Sequence, residues 1–142
     1  MNSEHKLHPI QIDGIKIKEL FIRNNSSSGT VEAREGKFKF KVAHGKFDVE
    51  LSSVNVALII EMGTPELPEA KSEEPLDLRV HILAKFSVDK EQFPIDKIEH
   101  WAEYNAPMIL YPYAREHVYS LSGRVLDTPI LLPLLQVPTL KI

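Results

Sequence analysis

Residues 105–124 read NAPMILYPYAREHVYSLSGR, and the fold turns on whether this is one helix. Asn105 can cap a helix through its side-chain oxygen. Pro107 suits a first turn, where a missing N–H costs least. Pro112 inside the same helix would kink it and free the carbonyl of Met108. Leu110, Ala114, Val118, Leu121 and Val125 fall on one apolar stripe at spacings of three and four. Tyr111, Tyr113 and Tyr119 add aromatic area on neighbouring faces, and Gly123 offers a C-terminal stop. A kinked main helix is predicted, with more apolar surface than a single covering role requires.

Upstream, the pattern changes to alternation. Ile10 and Ile12 face one way, then Ile15 and Ile17 after a one-residue slip at Asp13-Gly14, where a β-bulge is expected. Leu20, Phe21 and Ile22 continue that strand, and Asn24–Thr30 is a loop by composition. In Lys37–Ala43, Phe38, Phe40 and Val42 alternate with three lysines, which make a wet face and protect a sheet edge. Phe47, Val49 and Leu51 alternate next, and after a slip at Ser52-Ser53, Val54, Val56, Leu58 and Ile60 take over. Ala57 and Ile59 make that stretch apolar on both faces, as in a central strand. Gly63–Pro75 reads as a mobile acidic loop. Leu76 to Val88 alternates throughout, and Ile95–Tyr104 reads as a short helix with Ile95, Ile98, Trp101 and Ala102 inward. Pro129, Pro133 and Pro138 forbid a helix in the tail.

The predicted fold class is α+β: a four-stranded antiparallel sheet, then the kinked main helix and an extended Pro-rich C-terminal tail, all in a single domain, 1–142. One helix cannot cover both sheet faces, which predicts an oligomer. The net charge of −3 does not suggest a nucleic-acid binder. Residues 1–46 carry nine Lys/Arg against five Asp/Glu, and residues 47–142 eight against fifteen, a separation that suits protein partners. With no cysteine there is no disulfide and no thiolate chemistry. No apolar signal core opens the chain, and its longest apolar run, Pro129–Leu135, is far too short for a bilayer, so no membrane insertion is expected.

Chemistry is hard to place. His5 and His8 lie in a polar N-terminus, His44 and His81 in strand or turn contexts, His100 and His117 on separate helical segments. None has ligand spacing, so neither metal nor cofactor is expected. Arg115, Glu116 and His117 are consecutive on a helix and point in different directions. No phosphate loop or nucleophile elbow is present, and an enzyme is not expected. The lysine face is short and lacks aromatics for nucleic-acid binding. What remains is apolar and aromatic surface, suited either to subunit contact or to a ligand groove.

The stretch through Pro107, Ile109, Leu110, Tyr111, Pro112, Tyr113, Arg115 and Glu116, followed by PILLPL, resembles the SecB family of export chaperones, whose most recognisable segment is a helix of the form P-x-I-L-F/Y-P-Y-x-R-E. The resemblance implies a cytoplasmic, ATP-independent holdase that binds unfolded client polypeptides, preproteins or an antitoxin, as a homotetramer built as a dimer of dimers. It also implies handover to the translocase motor ATPase during protein export. Tyr113–Arg124 looks closer to a branch that serves an antitoxin in toxin–antitoxin–chaperone systems, the alternative function. Family members dock the motor through acids on the exposed sheet face; by pattern Glu19 keeps one such position and Arg23 and Arg79 replace others. For client contact the residues expected are Phe40, Phe86, Trp101, Tyr111, Leu131 and Leu132.

Overall fold

Four strands pair antiparallel: β1 (Ile10–Asn24), β2 (Lys39–His44), β3 (Ser53–Met62) and β4 (Leu76–Val88). Their order across the sheet is β1-β4-β3-β2, so among the described residues β1 and β2 are the two edges. A 3₁₀ turn at Ile95–Lys97 leads into α1 (Ile98–Tyr104), and α2 (Ala106–Val125) follows. This computed structural model describes residues 4–26 and 38–136. The expectations for 27–30, Lys37 and 137–142 lie outside the described residues.

The alternation read from β3 and β4 is a real two-sided pattern. Val54, Val56, Leu58, Ile60 and Met62 share one face with Leu78, Val80, Ile82, Ala84 and Phe86, and all ten are buried. Directly opposed pairs, such as Leu58 with Ile82 and Ile60 with Val80, set the register, since a slip of one residue would turn every one of these side chains to the other face. The helices cover this face through Ile98, Trp101, Ala102, Ala106, Leu110, Ala114 and Val118. Strand β1 shifts register between Ile12 and Gly14, where the bulge was expected, and again between Ile17 and Glu19, where it was not. Lys39 and Lys41 are exposed on edge strand β2.

Five local expectations are corrected. Phe47–Ser52 is not strand but a turn: Asp48 accepts the Leu51 N–H on its Oδ1 at 2.9 Å, and Ser52 takes a left-handed φ of 51° to re-enter β3. Val49 and Leu51 are consequently exposed. Ile95 is exposed because the 3₁₀ turn places it outside the α1 stripe. Asn105 makes no side-chain cap; its backbone is helical and its N–H donates to the Trp101 carbonyl at 2.8 Å, so α1 runs directly into α2. Gly123 does not stop α2, which continues to Val125. A Cβ there would stand 3.3 Å from Pro129 Cγ, so the glycine admits the returning tail.

The acidic loop is the fifth. Buried Asp77, at the start of β4, ties it down. Its Oδ1 accepts the Thr64 N–H at 2.9 Å and the Ser72 hydroxyl at 2.9 Å; its Oδ2 accepts Arg23 Nε and Nη2 at 3.0 and 2.6 Å and Asn25 Nδ2 at 2.6 Å. Five donors onto one carboxylate outweigh the cost of burying it, and they hold Asp77 below the usual carboxylate range against the opposing effect of burial.

Candidate functional site

Three regions concern function. The first is a groove of about 530 Å³ between the N-terminal half of β1 and the helices. Phe86 and Trp101 lie in its wall, their rings edge to face at 5.1 Å. Ile10 and Ile12 of β1, and Met108 and Ile109 of α2, add aliphatic surface. His8 closes one end, its ring tilted against Trp101 at 6.1 Å and its Nδ1 accepting the Ile10 N–H at 3.0 Å. Beside this groove β1 pairs with β4 only, so among the described residues no strand takes up its outer side. An apolar trough alongside a free strand edge can hold an extended chain twice over, by side-chain burial and by backbone hydrogen bonds.

The second is the tail. Residues 126–136 form neither helix nor strand and run back over α2. Ile130 and Leu132 are buried, whereas Leu131 and Leu134 are exposed by 65% and 82%. Three side chains of α2 hold the tail by its backbone. Ser122 Oγ accepts the Ile130 N–H at 2.7 Å, Arg115 Nε donates to the Leu132 carbonyl at 3.0 Å, and the Tyr111 hydroxyl donates to the Pro133 carbonyl. Burial pushes the Tyr111 phenol above its ordinary value, with nearby Arg115 pulling the other way, so it stays a neutral donor.

The third is the sheet face opposite the helices. Arg79 donates to Glu19 at 3.0 Å and to Glu61 at 3.0 Å, and Lys41 pairs with Glu61 from the other side. Burial raises the Glu61 pKa, but the bonds from Lys41 and Arg79 bring it below the ordinary value. On the same face His81 is held below its usual value, first by burial and then by Lys18. Glu19, the acid read as a docking position, is thus engaged by Arg79, and Arg23 is committed to Asp77.

The six residues expected to touch a client do not make one surface. Phe86 and Trp101 line the groove. Phe40, on β2, stands edge to face with Tyr111 at 5.9 Å, and Tyr111 and Leu132 are buried in the neighbourhood of the tail. Leu131 lies open on the outside. The motif divides likewise: Pro107, Leu110 and Tyr111 are core, Tyr111 and Arg115 hold the tail, and Ile109, Pro112, Tyr113 and Glu116 face outward. Reading the stripe alone missed Ser122, which is fully buried, whereas Val125, expected on the stripe, is exposed. The signal was there: Ser122 follows Val118 by four, on the buried row.

Among the described residues no helix is long and apolar enough to cross a membrane, and no three His, Asp or Glu converge as a metal site.

No protein-family model and no curated protein matches this sequence. Solved structures do. A protein of unknown function from Streptococcus agalactiae is 11% identical with a TM-score of 0.41, over 89% of this chain and 97% of that one, and carries no argument. The SecB-like chaperone of Mycobacterium tuberculosis, solved in complex with a ChAD peptide from the HigA1 antitoxin, is 20% identical with a TM-score of 0.66, over 92% of this chain and 94% of that one. With its four-stranded antiparallel sheet followed by a helix kinked at Pro112, the chain has the SecB-like chaperone fold.

Proposed function

We propose that this protein is a chaperone that holds unfolded or extended polypeptide without ATP. The observation that supports this most is the apolar groove of Phe86, Trp101, Ile12 and Ile109 beside the edge of β1 that no described strand takes up. Nothing about such a trough reads a client's sequence. Apolar burial contributes roughly 25 cal/mol per Å² whatever the side chain, and edge hydrogen bonds go to backbone. A holdase has no ATP to drive release, so single contacts must be weak and several must act together. A homotetramer, assembled as a dimer of dimers, would supply several grooves per particle. Phe86 and Trp101, both buried, are proposed as contacts from the floor of the groove, beneath the more open Ile12 and Ile109, with Phe40, Tyr111, Leu131 and Leu132 contributing at the tail.

A second reading is a chaperone dedicated to one antitoxin. It is favoured by the solved neighbour's bound antitoxin peptide and by the Tyr113–Arg124 ending. Delivery to a translocase motor has less support, because Glu19 is paired with Arg79 on the exposed sheet face. We place the protein in the cytoplasm, with neither catalytic nor cofactor chemistry.

The test is a titration with one client in its native form and in a trapped unfolded form. Unfolded client should bind far better, with modest salt dependence; equal affinity for both, or binding abolished by moderate salt, refutes the groove mechanism. A panel of unrelated unfolded chains separates the readings: general binding favours the first, capture of a single antitoxin the second.

A further inference from the structure

We infer that the row of polar groups on α2 at Tyr111, Arg115 and Ser122 is a second polypeptide site, one for an extended, proline-containing apolar segment, which the chain's own residues 130–133 fill. It extends the polypeptide-binding reading and rests on it.

All three hydrogen bonds from this row go to backbone: the N–H of Ile130 and the carbonyls of Leu132 and Pro133. None reads a side chain. The side chains contribute by alternation, with Ile130 and Leu132 buried and Leu131 and Leu134 out. That is the geometry of an extended peptide laid in a groove. The residues concerned belong to no helix or sheet, so nothing of the fold's ladder hydrogen bonding is broken when they leave.

Proline is favoured for a specific reason. Two of the three row members, Tyr111 and Arg115, donate, so the row mostly satisfies carbonyls. Pro129 and Pro133 bring carbonyls but no N–H, and so leave fewer donors to be satisfied. Proline also limits the unfolded freedom that a segment gives up on docking. The segment tethered in cis is present at an effective concentration in the millimolar range. It therefore masks the site against a peptide added from outside.

The probe is a fluorescein-labelled peptide with the sequence of residues 127–136, DTPILLPLLQ, followed by anisotropy with full-length proteins. Leu132→Ala loosens the segment in cis and should tighten peptide binding about tenfold or more over the wild type, as masking is relieved. Tyr111→Phe in the Leu132→Ala background removes one donor and should take back most of that gain. A peptide with both prolines replaced by alanine should bind the Leu132→Ala protein more weakly. Equal peptide affinity of wild type and Leu132→Ala, or no effect of Tyr111→Phe, overturns the proposal. Should Leu132→Ala not fold, Leu134→Cys carries the test. The chain has no other cysteine and this position is exposed. An environment-sensitive dye there should change emission as unlabelled peptide displaces the tail, and an unchanged signal at saturating peptide overturns the proposal equally. Titrating unfolded client in parallel separates the two readings: client bound without any tail response sinks the second site alone, and no binding of either sinks both.

Discussion

Asp77→Asn should be among the most destabilising single changes in this chain. The carboxylate has no solvent exposure and accepts five hydrogen bonds, two from the Arg23 guanidinium. An asparagine fits the space but presents one oxygen where there were two, and turns an N–H₂ toward groups that are themselves donors. The guanidinium loses its counter-charge while only 18% of its side chain is open to water. Breaking a buried pair from one side costs about 3–5 kcal/mol, out of the roughly 5–15 kcal/mol that holds such a domain. With a urea slope of about 1.5 kcal/mol/M, the midpoint should fall by about 2–3 M. The sole tryptophan, Trp101, is buried and reports the transition by fluorescence, at one fixed protein concentration because association would shift the midpoint. The sign with pH follows from the lowered pKa of Asp77. Its contribution is fully present above the unfolded carboxylate value, about 3.9, and is lost as pH falls below that toward the folded value. Wild-type stability should therefore drop steeply below about pH 4, and the variant's stability should drop less. A midpoint shift under about 0.5 M, within the reach of an ordinary surface change, would refute the view that Asp77 organises the loop between β3 and β4.

Three further outcomes are expected. Light scattering of dilute protein should give a tetramer; a clean monomer would sink the proposed assembly and weaken the holdase reading. Gly63→Ala should destabilise by more than about 2 kcal/mol, because φ is +68° and the new Cβ would stand 2.2 Å from the Leu76 carbonyl; an unchanged denaturation midpoint would show that the turn relaxes freely. Unfolded client should shift Trp101 emission, since that ring lies in the groove wall, and a client that binds without any shift must sit elsewhere.

Much of the fold could be read from periodicity. Strands β3 and β4 bury one face along their whole length, and the slip at Asp13-Gly14 is a bulge. What periodicity does not carry is which strand neighbours which. That β1 pairs with β4, the strand furthest from it in sequence, depends on how the acidic loop and the Asn24 end of β1 come together at Asp77, through side chains that no pattern marks. Phe47–Leu51 looked like strand because three apolar residues alternated. One Asp side chain and one left-handed serine were enough to make it a turn, since local hydrogen bonding competes directly with the ladder. The site was half legible. Phe86 and Trp101 stood out as aromatic, but the burial of Tyr111 and Leu132 depends on a tail that returns across the helix, which reading a helix by itself cannot supply.

The motif in α2 carries more physical content than a family likeness. Tyr111 and Arg115 are four apart and Ser122 follows seven later, so all three stand on one flank of the helix. Pro107 and Leu110 fix the same turn of helix in the core, and Tyr111 is locked between Phe40 and the Arg115 guanidinium, 6.0 Å from its ring. The donors are thus held in position by packing before any backbone reaches them. Pro112, the next residue along, is exposed and interrupts the helix beside this row. A tyrosine that is at once core and donor cannot be replaced by another aromatic at no cost. Phenylalanine would keep the packing and leave the Pro133 carbonyl without its partner. The spacing Tyr-x-x-x-Arg therefore lets this helix hold the extended tail by its backbone, through the carbonyls of Pro133 and Leu132.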